Sequence, residues 1–159
     1  MRKIDALLSE YGESPPNETN KLIHWMCVPS IFFSVVGLMA SIPSAPLQGF
    51  MSAESPYANW ATIGLALVLL YYISLSITLT IGMALFSMFC LYLANGLSSF
   101  EFAPLWAISL GIFVIAWIGQ FYGHKIEGKK PSFLKDVQFL MIGPAWLMHF
   151  IYRKLRIPY

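Results

Sequence analysis

Two groups of polar side chains in an otherwise apolar chain of 159 residues have the types and spacing for metal chemistry. After Pro15-Pro16, a pair suited to a helix start, Asn17, Asn20 and His24 fall at i, i+3 and i+7. Those positions share one helical face. Gln120, His124 and Glu127 fall at i, i+4 and i+7 and share another. The third and last histidine is His149. Histidine is the commonest metal ligand and titrates near neutrality. A His-x-x-Glu pair on one helical turn is a two-ligand donor set, like the Glu-x-x-His pairs of di-iron bundles. Polar groups near membrane hydrocarbon are costly unless partnered, which makes each of these residues a functional candidate. A plainer reading stands beside this one. An interfacial histidine can be a hydrogen-bonded anchor, and Glu127 beside Lys125, Lys129 and Lys130 can be a solvated carboxylate. Asn17 and Asn20 can cap or satisfy nearby backbone. Spacing alone leaves both readings open.

The composition says where such residues must sit. Hydrophobic residues make up 57% of the chain and charged residues 11%, against roughly 25% charged in soluble domains. That deficit excludes a disordered chain, a secreted disulfide scaffold and an ordinary cytosolic enzyme. The expected class is a small integral membrane protein forming one domain over residues 1–159. A net charge of +2 leaves no electrostatic footprint for nucleic acid. Cys27 and Cys90 lack CxxC spacing and read as small apolar core residues. The stretch Met1–Gly12 has no apolar h-region, so a cleaved signal peptide is not expected.

About 20 apolar residues cross a bilayer core roughly 30 Å thick. Residues 22–42 meet that length. Trp60–Leu97 runs 38 residues without a charge, about 57 Å as one helix. It must therefore fold as a hairpin of two spans, 60–78 and 80–97, turning in the Ser74–Gly82 region. A fourth span covers 102–123. The last apolar run, Val137–Ile151, has 15 residues and is interrupted by Gly143-Pro144. It reads as two short helices joined at that dipeptide, capped by Ser132, in a re-entrant segment over about 133–152. The predicted fold is all-α: an integral membrane helical bundle of four transmembrane helices plus a C-terminal re-entrant or interfacial segment.

The scarce charges support that topology. The loops 43–59 and 98–101 contain Glu54 and Glu101 but no Lys or Arg. With the N-terminus inside, four crossings and a re-entrant C-terminal segment, all ten basic residues fall on the cytoplasmic side. His24, His124 and His149 then converge on one membrane face.

The segments N-E-T-N-K-L-I-H-W-M-C-V-P (Asn17–Pro29) and W-I-G-Q-F-Y-G-H-K-I-E-G-K-K-P (Trp117–Pro131) resemble the small membrane proteins typified by the fungal 2-hydroxy-fatty-acid dioxygenase of the endoplasmic reticulum. The likeness covers nearly the whole chain. It implies an iron(II)-dependent dioxygenase that uses O2 to shorten 2-hydroxy fatty acids by one carbon, in alpha-oxidation. It also implies iron held by histidines: His24 and His124 by motif, and His149 in the C-terminal segment. Glu127 would serve as ligand or as a partner behind the ligands. One departure stands out. The family pattern has a further histidine in a Y-x-E-S-H-x-N type stretch, where this chain reads Y-G-E-S-P-P-N with Pro15 in its place.

On this resemblance His24, His124 and Glu127 are the catalytic candidates. Lys21, Lys125 or Lys129 would draw the substrate carboxylate to headgroup level, and Asn17, Asn20 and Gln120 would line its site. The fatty tail would lie between the spans. The rival readings are a non-enzymatic membrane protein that binds lipid or a partner, and an inactive relative of the dioxygenase. Zinc lacks the redox chemistry implied, and few carboxylates disfavour a di-iron pair. The site would face the cytoplasm, in a bacterial inner membrane or the endoplasmic reticulum.

Overall fold

A computed structural model describes residues 17–51, 55–126, 128 and 133–157. Helix α1 spans Glu18–Ala40, α2 Ala45–Met51, α3 Trp60–Ile73, α4 Ile77–Ser98, α5 Leu105–Ile126 and α6 Phe133–Leu155. No strand occurs among the described residues.

The helix ends follow from capping chemistry. Asn17 accepts a 2.8 Å hydrogen bond from the Thr19 backbone N–H, which opens α1. Asn59 accepts from Thr62 N–H at 3.1 Å and opens α3. The predicted hairpin turn lies at Ser74–Ser76, and Ser76 caps α4 by accepting from Leu79 N–H. Pro29 lies inside α1, which continues through it.

Helices α1 and α5 form the principal pair, and they run antiparallel. Gly37 packs on Ser109, Gly119 on Cys27, and Gly123 on Asn20. A Cβ on Gly119 would stand 2.7 Å from Cys27 Sγ. Small residues let apolar helices approach closely, which replaces the hydrophobic drive that lipid surroundings remove. On the other side of α1, Met39 covers Gly64 of α3 and Phe32 meets Phe86 of α4 at 5.3 Å between ring centroids. Phe32, Tyr72, Met83 and Trp146 bring α1, α3, α4 and α6 into one core. Outward-facing Leu67, Leu70, Leu85, Met88, Ile115 and Ile118 stay exposed, an apolar surface suited to lipid contact.

Two expectations change. Among the described residues, α1, α4 and α5 are long and apolar enough to cross a membrane. The segment expected to span 60–78 forms α3, of 14 residues, about 21 Å long. It ends early because the hairpin turn consumes Ser74–Ser76. The C-terminal segment is one 23-residue helix with Pro144 inside it, not two helices broken at Gly143-Pro144. Ile142, Ala145, Trp146 and Leu147 are buried around the proline. Their packing offsets the single backbone hydrogen bond that proline removes. Ser132, the expected cap, lies outside the described residues.

Candidate functional site

The antiparallel pairing of α1 and α5 decides which polar residues meet. His24 lies in the second turn of α1 and His124 in the last turn of α5. Their rings touch edge to face, with centroids 5.4 Å apart and planes at 84°. His24 is buried and His124 half-buried.

Behind His24 stands Asn20, one turn earlier and fully buried. His24 Nδ1 lies 3.0 Å from the Asn20 backbone carbonyl oxygen and 3.0 Å from its Oδ1. The carboxamide rests on Gly123, where any Cβ would overlap the Asn20 oxygen. Its Nδ2 is buried without a hydrogen-bond partner among the described residues. Gln120, one turn before His124, is buried on the same side of α5.

Helix α6 closes this end of the bundle. The Phe150 ring packs 6.2 Å from Trp25 and 4.6 Å from Trp146, between centroids. Lys21 Nζ sits 5.5 Å above the Phe150 ring, a cation–π distance. It also lies 3.9 Å from Glu18, an exposed pair that contributes little to stability. Tyr152 Oη donates a 2.8 Å hydrogen bond to the Thr78 carbonyl, tying α6 to the first turn of α4. His149 is half-buried and edge-on to Phe150 at 5.6 Å. All three histidines therefore gather at one end of the bundle, and His24 and His124 are in direct contact.

The other predicted residues divide. Asn17 is exposed and caps α1, the plainer of its two readings. Lys125 is exposed in the last turn of α5. Glu127 and Pro15 lie outside the described residues. Among the described residues no group of three or more His, Cys, Asp and Glu side chains converges as a metal site.

Sequence reasoning missed Gly123 and Phe150. Gly119 and Gly123 form a G-x-x-x-G pattern, a signal of close helix approach that pointed to the first. Phe150 had no such signal, because its role depends on how α6 crosses α1.

No curated protein matches the chain. No solved structure matches it either. One family model does match, over residues 1–155, and so nearly end to end. Its description, 2-hydroxy-palmitic acid dioxygenase Mpo1-like, points to a dioxygenase-related role on 2-hydroxy fatty acids. The matched region contains both polar faces and the helix that closes over them. By that match, the chain belongs to the 2-hydroxy-palmitic acid dioxygenase Mpo1-like family.

Proposed function

We propose that this protein is an iron(II)-dependent dioxygenase that shortens 2-hydroxy fatty acids by one carbon at the cytoplasmic end of a membrane bundle. The observation that carries this reading is the contact of buried His24 with half-buried His124, within a chain of this family. Two imidazoles side by side suit iron(II), and a proton held on His24 Nδ1 by Asn20 puts the ring's lone pair on Nε2, the form that ligates. His24 and His124 would hold the metal, with His149 or Glu127 completing the set. Iron(II) held there supplies the one-electron chemistry with O2 that side chains lack.

The remaining work falls to the chain. Lys21 and Lys125, at the same end as the histidines, attract the substrate carboxylate. Buried Gln120 offers an amide to a substrate oxygen. Trp25, Trp146 and Phe150 form an aromatic cluster at the same end of the bundle, an apolar wall along which the start of the substrate chain would pack. The substrate tail lies along the apolar helices, and the C1–C2 bond is the one broken.

The same reading keeps four crossings, with α3 as a short span and α6 re-entrant. Its support is the absence of Lys and Arg from the loops 43–59 and 98–104. A short span is accommodated by local thinning of the bilayer.

The test is anaerobic reconstitution of the purified protein with iron(II), then exposure to O2 and 2-hydroxy fatty acids of several lengths. Mass spectrometry should find products one carbon shorter. Stoichiometric iron without turnover would favour the inactive relative suggested by Pro15. No bound metal at all would favour a lipid-binding protein.

A further inference from the structure

We infer that Asn20 is a positioning residue that fixes the tautomer and orientation of His24. Its environment is hard to explain as packing. The side chain is wholly buried at the α1–α5 contact, yet among the described residues Nδ2 has no hydrogen-bond partner. A residue kept only to fill that space would be apolar, because an unpaired buried donor carries a desolvation penalty.

The other end of the carboxamide accounts for it. Two oxygens of Asn20, the backbone carbonyl and Oδ1, lie 3.0 Å from His24 Nδ1. A carbonyl oxygen only accepts, so Nδ1 carries the proton and donates. With Nδ1 donating, the carboxamide must present its oxygen. The reverse orientation would set two donors against each other. Nε2 is then the unprotonated nitrogen, the form a metal requires. Gly123 belongs to the same device, since any side chain there would displace the carboxamide. Asn20 thus stands to His24 as the carboxylate or carbonyl behind a metal-bound histidine does elsewhere.

The inference rests on the proposed role of His24, and its test separates the two. In the full-length, metal-free protein in nanodiscs, nitrogen NMR of 15N-labelled histidine, assigned with a His24→Gln variant, reports the His24 tautomer. The wild type should show Nδ1–H. Asn20→Leu, which removes Oδ1 and leaves only the backbone carbonyl, should lower the share of the Nδ1–H form and weaken cobalt(II) or iron(II) binding about 10- to 100-fold. Asn20→Asp, which keeps an acceptor, should retain both. An Nε2–H tautomer in the wild type overturns the inference without any variant. So does Asn20→Leu with wild-type tautomer and metal affinity. Should the wild type show Nδ1–H yet bind no metal, the positioning stands and the dioxygenase reading falls.

Discussion

His24 and His124 meet edge to face at 5.4 Å, although they stand 100 positions apart and neither has a histidine near it in sequence. The contact follows from antiparallel packing of α1 on α5, which stacks the first turns of one against the last turns of the other. A pair built this way is sensitive both to loss of either ring and to any change in helix spacing.

Loss of a ring is the direct test. His24→Ala and His124→Ala should each lower bound iron below stoichiometry and reduce turnover by about 100-fold or more, beyond the range for partners behind a ligand. Metal analysis of purified protein and product mass spectrometry measure the two effects. Either variant retaining wild-type iron and activity removes that histidine from the site.

Helix spacing is tested at Gly123. A methyl group there overlaps the Asn20 carboxamide, so Gly123→Ala must move a side chain or separate the helices. Overpacking of this kind costs about 1–3 kcal/mol. Thermal unfolding in detergent and iron titration should both register the change. Gly96→Ala is the control, because nothing lies within 4 Å of a Cβ there. Ala should be neutral or slightly stabilising at that helical position. Equal behaviour of the two variants would sink the close-approach argument.

These contacts also mark how far the sequence could be read. The face shared by Asn20 and His24 was legible because helical period alone places them together. The convergence of histidines followed from charge bias, which needs no knowledge of packing. The Asn20–Gly123 contact was not legible, since it depends on which helix α5 meets and in what register. Pro144 misled for a related reason. Local rules break a helix there, but buried neighbours from Ile142 to Leu147 hold α6 continuous. The short α3 reflects competition between span length and turn, which an unbroken apolar run cannot resolve.

Among the described residues, a long-range hydrogen bond adds to the packing that anchors α6. Tyr152 Oη reaches the Thr78 carbonyl at 2.8 Å and lies against Gly82. Tyr152→Phe should cost about 1 kcal/mol, with the ring still filling its place. Hydrogen exchange should show faster opening of α6 and little change in α5. Unchanged protection in α6 would mean that packing of Trp146 and Leu147 alone secures it.

Lys21 offers a separate handle on substrate binding. Its ammonium lies over Phe150, three residues before His24, and its ion pair with exposed Glu18 is weak. Lys21→Met keeps most of the apolar stem and removes the charge. One Lys near a headgroup surface contributes about 1 kcal/mol to attraction of an anion, roughly fivefold in affinity. KM for a 2-hydroxy fatty acid should rise by about that factor, with kcat little changed. Raising the salt should shrink the difference between variant and wild type. A fall in kcat at constant KM would instead place Lys21 in the chemical step.

The membrane orientation can be decided by labelling at both ends of the bundle. Lys125 follows His124 at the end of α5, whereas Glu101 precedes α5 at the opposite end. Lys154 lies in the last turn of α6. In a background with Cys27 and Cys90 replaced by Ala, each position is changed singly: Lys125→Cys, Glu101→Cys and Lys154→Cys. A membrane-impermeant maleimide is added to sealed vesicles of known sidedness. The positive-inside argument puts Lys125 and Lys154 on the cytoplasmic face and Glu101 on the other. Reagent confined to the cytoplasmic face should therefore modify the first two and spare the third. Labelling of Lys154→Cys from the face that labels Glu101→Cys would make α6 a crossing helix. The same side for Lys125 and Glu101 would mean that α5 does not cross, and the four-crossing reading would fall with it.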